Sequence, residues 1–165
     1  MTERPMRRKD RQLSLEETWQ VVRRGTHGVL CLTGEDGWPY GVPMNYAVLD
    51  GKLYLHCAKA GHKLEAIAQN DRVCLTIVTQ AQVVPEHITT LYESAMVFGT
   101  ARLVTDPQEH DAALGALIDT LGRVSQDIRN QYIAKKSKNT AVLAIEPLRL
   151  TGKASRSYKP VTQRM

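Results

Sequence analysis

The chain has 165 residues, 42% hydrophobic and 24% charged, with a formal net charge of +5 and three cysteines. These proportions fit one globular domain and exclude fibrous, collagenous and intrinsically disordered chains. No uncharged apolar run of about 18 residues occurs, and the basic start leads into no apolar signal segment, so a cytoplasmic protein that neither spans a membrane nor is secreted is expected.

Residues 1–12, MTERPMRRKDRQ, hold five of the 22 basic and two of the 17 acidic side chains, which leaves 17 and 15 in the remainder. The excess charge is therefore a short arm and not a basic face. Aromatics make up 5% of the chain, with one Phe, too few for the stacking platforms that hold single strands, so no nucleic-acid partner is expected. A single body over residues 13–153 and a tail over 154–165 complete the division.

The body opens with SLEETWQVVRRG. Ser14 caps a short amphipathic helix, Glu17 closes its capping box, Leu15, Trp19 and Val22 share a face, and Gly25 ends it. The runs HGVLCLT, YGVPMNYAV and KLYLHCA, separated by GEDGWP and LDG, predict three antiparallel strands in hairpin order. Pro43 has no N–H for a ladder, so it marks an irregular or edge position. Met44 and Asn45 beside it can offer hydrogen bonds to a planar heterocycle; equally, Asn45 can satisfy the backbone that Pro43 leaves open.

GHKLEAIAQN predicts a helix with Leu64, Ile67 and Ala68 on one side, followed by a buried strand, RVCLTIVT, and a loop with Pro85 and His87. The long strand YESAMVFGTARLV carries Gly99, the mark of a bend or bulge. Asp106, Pro107 and Glu109 start a further helix in TDPQEHDAALGALIDTLGR, SQDIRNQYIAKKSK reads as a polar surface helix, and TAVLAIEPLRLTGKA is a last strand in which Pro147 implies an edge or a break. About six strands in hairpin order with interposed helices predict a mostly-β fold, an antiparallel barrel with helices packed outside it. Cys31, Cys57 and Cys74 lack CxxC spacing and sit in apolar runs, as reduced core residues do.

The stretch LYLHCAKAGHKLEAI carries the densest chemistry. A helix N-terminus presents unpaired N–H groups and partial positive charge. Gly61 permits close backbone approach, and His62 and Lys63 add donors at the same end, which is how a phosphate site is built. The alternative is an ordinary helix start with a solvated lysine. If Leu53 and Leu55 point inward, Tyr54 and His56 share the other face, on a cleft wall or a dimer interface.

MRRKDR, GWPYGVPMNYAV, LYLHCAKAGHKLEAI, DRVCLTIV and YESAMVFGTARLV, in that order, resemble the nitroimidazole-resistance proteins of the pyridoxamine 5'-phosphate oxidase-like superfamily over most of residues 6–153. The resemblance implies a six-stranded split β-barrel that forms a homodimer with FMN in two interfacial clefts. It implies that His62 and Lys63 hold the FMN phosphate, that Pro43, Met44 and Asn45 lie along the isoalloxazine ring, that Ser94 reaches a flavin from the other subunit, and that His56 sits next to the cofactor. The terminal GKASRSYKPVTQRM lacks the Trp- and Arg-bearing segment of true pyridoxamine-phosphate oxidases, so the resemblance does not extend to vitamin B6 oxidation. Three readings follow. One is an FMN reductase of a small aromatic or nitro-aromatic substrate, with His56 as proton donor; the second is a heme-binding protein on the same barrel, with His56, or else His110, on iron; the third is a flavin-binding dimer without turnover.

Overall fold

The computed structural model describes residues 5–157, so the first residues of the basic arm and the end of the tail fall outside the described residues. Seven strands, β1 (His27–Thr33), β2 (Pro39–Asn45), β3 (Ala47–Leu49), β4 (Lys52–Cys57), β5 (Arg72–Val84), β6 (Thr89–Leu103) and β7 (Ala141–Ser155), form one antiparallel sheet. Their order is β2-β1-β5-β6-β7-β4-β3. The helices are α1 (Leu15–Arg24), α2 (His62–Gln69), α3 (Pro107–Asp119) and α4 (Gln126–Lys136).

The count is seven strands and not the six expected, because YGVPMNYAV is not one strand. Its first part, β2, pairs with β1, and its last part, β3, pairs with β4; Tyr46 alone separates them. β2 and β3 are opposite edges of the sheet, yet only Tyr46 joins them, and the two chain steps from Asn45 to Ala47 reach at most about 7 Å. The sheet must therefore roll until its edges nearly meet, as a split barrel does. Tyr46 holds that corner: it is fully buried, its hydroxyl donates to the Val22 carbonyl at 2.5 Å, and its N–H donates to the Thr26 carbonyl at 3.2 Å. Burial pushes its phenol well above the usual range.

Strand alternation fills the interior with Leu30, Leu53, Leu55, Leu75, Ile77, Val97, Leu143 and Ile145. Val21 and Val22 of α1 and Ala66 and Ile67 of α2 join this same cluster, so these two flanking helices share the barrel's core. α3 packs outside. It covers Ala47, Tyr54, Val142 and Ala144 with Ala113, Leu114 and Leu117. β7 thus begins buried on both faces, which is why AVLAI is an unbroken apolar run. α4 buries no residue, in agreement with its polar sequence.

Pro43 lies on β2, an edge strand, as its missing donor requires. Pro147 lies on β7 beyond Ile145, the last residue that pairs with β4, so that side of the strand is open there, and on the β6 side the register jumps between Phe98, opposite Arg149, and Gly99, opposite Pro147; the proline meets both an edge and a break. A side chain at Gly99 would collide with the Glu146 carbonyl. Two of the cysteines correct another expectation. Cys31 and Cys74 are register partners across β1 and β5 on the outer face, half-buried free thiols and not core residues, whereas Cys57, also a half-buried free thiol, packs against the core cluster as expected. The period-2 pattern puts Leu30, Leu32, Val73 and Leu75 inside and the intervening thiols outside.

Arg156, directly after β7, is docked. Glu93 is buried and accepts from Arg24 and from Arg156 Nε at 2.9 Å, while Arg156 Nη1 donates to Glu17 at 2.9 Å. Arg156 therefore ties the end of β7 to α1 and β6. The Arg156 hydrogen bond holds the Glu93 carboxyl below its ordinary 4.5, against burial, which raises it, with Arg24 adding to the depression.

Two outcomes are expected. Tyr46→Phe leaves the Val22 carbonyl without its partner at the barrel corner and should lower stability to urea by about 1–3 kcal/mol. A depressed folded-state pKa contributes stability that is complete above the unfolded value, here near 4.5, and is lost as pH falls through the folded value. Glu93→Gln should therefore flatten the loss of urea midpoint on acidification below that pH; an acid limb as steep as wild type would rule out the Glu93 cluster as its source.

Candidate functional site

Rolling the sheet brings β2 beside β4 at the barrel rim. There an open cleft of about 510 Å³ is lined by Val42, Pro43, Met44 and Asn45 of β2, His56, Cys57 and Ala58 at the end of β4, Lys63 of α2, Tyr132 and Lys136 of α4, and Asn139 and Thr140. Pro43, Met44, Asn45, His56 and Lys63, all singled out in the sequence, thus meet in one place. Leu53 and Leu55 are fully buried in the barrel, and Tyr54 and His56 face outward as alternation requires. Their fates differ: Tyr54 is covered by α3 and donates to Glu109 Oε1 at 2.9 Å, whereas His56 is exposed on the cleft wall.

Gly61 stands at the N-cap of α2 with φ +129° and ψ 166°, a conformation open essentially to glycine alone. Ser14, Asp106 and Ser125 cap the other three helices with side-chain oxygens, but no side chain caps α2. Its first-turn N–H groups keep their acceptor position free of protein side chains, with Lys63 on the cleft side. His62 turns elsewhere: its ring stacks on Tyr40 with centroids 4.4 Å apart and an interplanar angle of 29°, and it does not line the cleft. Ser94 lies on β6, where its hydroxyl donates to the Lys153 carbonyl at 3.4 Å, outside the cleft.

The cleft carries two cations, Lys63 and Lys136, and no carboxylate among its lining residues, so its potential favours an anion. Burial pushes the Cys57 thiol up, which the nearby Lys63 charge only partly offsets. His110 Nε2 faces the Thr140 carbonyl at 2.9 Å, and its Nδ1 faces Ser137 and Asp111, each at 3.4 Å, so both nitrogens are used within the fold. Among the described residues no group of three or more His, Cys, Asp or Glu side chains is arranged to hold a metal. No helix among them is long and apolar enough to cross a membrane.

Sequence reasoning missed Tyr132, Lys136 and Thr140. The available signal was the four-residue spacing of Ile128, Tyr132 and Lys136, one stripe of an otherwise polar helix.

The fold has known counterparts. No curated protein matches the chain. Among solved structures, a "putative 5-nitroimidazole antibiotic resistance protein" from Bacteroides thetaiotaomicron is 25% identical, with 86% of this chain and 85% of that one covered and a TM-score of 0.74. A conserved hypothetical protein from Mycobacterium tuberculosis is 18% identical over 96% of this chain and 99% of that one, with a TM-score of 0.79. An FAD and heme binding protein from Mycobacterium smegmatis is 20% identical over 90% and 75%, with a TM-score of 0.71. The family profile described as pyridoxamine 5'-phosphate oxidase matches residues 14–154, nearly the whole described chain, and the chain belongs to that family.

Proposed function

We propose that the chain is a flavin-binding oxidoreductase, with FMN as its cofactor, that reduces a small aromatic or nitro-aromatic substrate and works as a homodimer. The observation that carries this reading is the convergence, in one carboxylate-free cleft, of the edge segment Pro43–Asn45, the uncapped start of α2 with Lys63, and His56. Membership of the family and the names of the Bacteroides and Mycobacterium smegmatis neighbours support it.

A bound flavin supplies hydride and electron transfer; the protein supplies placement and charge. In this reading Lys63 and the first-turn amides of α2 hold the phosphate, with His62 at the same helix start and Gly61 allowing close approach. Pro43, Met44 and Asn45 lie along the ring, where Pro43 donates no N–H and Asn45 offers an amide. His56, exposed on the wall, donates a proton to the substrate as it is reduced. The outer face of β1, β5 and β6 leaves Val29, Val78 and Met96 at 39%, 49% and 39% exposure, with Ser94 on the same face. A second copy covering that apolar face would carry Ser94 toward its partner's cleft.

The Mycobacterium smegmatis neighbour is named for FAD and heme, so these are the alternatives to separate. His56 is the candidate iron ligand, since both His110 nitrogens are engaged. The test is the absorbance spectrum of the purified protein with identification of what it releases on denaturation. FMN is expected; FAD would change the cofactor assignment, a Soret band would move His56 to iron, and failure to take up any added flavin would sink the reading. Lys63→Glu should weaken flavin binding at least about tenfold, equivalent to 1.4 kcal/mol. His56→Ala should leave binding intact and slow reoxidation of the dithionite-reduced protein by a nitroimidazole about 100-fold. Met96→Lys should shift the molecular mass in solution from dimer to monomer.

A further inference from the structure

Beside the cleft lies a second cavity, of about 300 Å³, walled by Leu114, Leu117 and Ile118 of α3, Leu121 and Val124 of the connection, and Ile128 of α4. It meets the cleft at Asn45, His56, Tyr132 and Thr140, residues that line both. Leu121 and Ile128 are 73% and 60% exposed, a cost that a surface helix pair otherwise avoids. Arg129, the one charged side chain on the wall, is already engaged: its guanidinium pairs with Asp119 at 3.3 Å and lies over Gly115, where any side chain would collide with it. The polar groups Asn45, His56 and Thr140 are those shared with the cleft, and the rest of the wall is almost wholly hydrocarbon.

A cavity twice the roughly 150 Å³ that holds a benzene, with hydrocarbon walls and polar groups at one end, suits one kind of molecule. We infer that it binds the body of a neutral, mainly apolar molecule of about one or two fused rings, whose polar end faces His56 and Asn45. Naming that molecule as the substrate reduced in the cleft rests on the flavin reading above; binding of an apolar body does not. The same walls disfavour a multiply charged substrate, because no unpaired cation lines them.

The test uses the full chain and N-phenyl-1-naphthylamine, a neutral probe that fluoresces in apolar surroundings, with flavin content measured on the same sample. Saturable binding is expected, weakened at least tenfold in Ile128→Trp and Leu121→Trp, which fill the cavity from exposed positions. It should be unchanged in Val83→Trp, at a comparably exposed position that does not line the cavity. Absence of saturable binding, or equal affinity in all three variants, overturns the inference even if flavin is bound. Binding lost only in the two cavity variants of a protein that takes up no flavin sustains the apolar site and overturns the flavin reading instead.

Discussion

The structure depends on one short constraint: the chain must pass from one edge of a seven-stranded sheet to the other through Tyr46. With a single residue to span that gap, the sheet has no flat solution. It rolls, and the interior of Leu, Ile and Val side chains becomes continuous with Val21 and Val22 of α1, and the Val22 carbonyl accepts from the Tyr46 hydroxyl. Core, closure and helix plug are therefore coupled through a buried phenol, and its hydrogen bond spares the Val22 carbonyl the cost of going unpaired.

The same closure creates the cleft. β2 and β4 are five strands apart in the order of the sheet, but closure sets Pro43–Asn45 across from His56, and α2 and α4 then supply Lys63 and Lys136. Polarity is divided between the two adjoining spaces. The cleft carries Lys63, Lys136 and the uncapped start of α2, while the α3–α4 cavity beside it is hydrocarbon with its one arginine paired to Asp119. An anionic group in the cleft and a neutral apolar body in the cavity fit that division.

Elsewhere charges serve the fold. Glu93 would be a costly buried carboxylate without Arg24 and Arg156, and the arrangement fastens the chain after β7 to α1. Arg102 and Tyr54 converge in the same way on Glu109, which anchors the first turn of α3 to the outer face of the barrel. Arg24 and Arg156 are 69 and 63 residues from Glu93, and Tyr54 is 55 from Glu109, so local patterning could not announce these contacts; only Arg102, seven residues from Glu109, is near in sequence.

Local physics was legible in the sequence: the Ser14–Glu17 capping box, the Asp106 cap, the alternation that sends Leu53 and Leu55 inward and His56 outward, and the Gly99 bulge each follow from contacts within a few residues. So was the grouping of Pro43–Asn45, His56 and Lys63, through the resemblance of their motifs to a known family. Tertiary structure alone decided that the second strand divides at Tyr46, because its two halves bond to partners on opposite edges of the sheet. It also decided that His62 stacks on Tyr40 and that Arg156 pairs with Glu93 and Glu17. Tyr132 and Lys136 joined the cleft for the same reason: long-range closure, not residue type, sets which side chains meet.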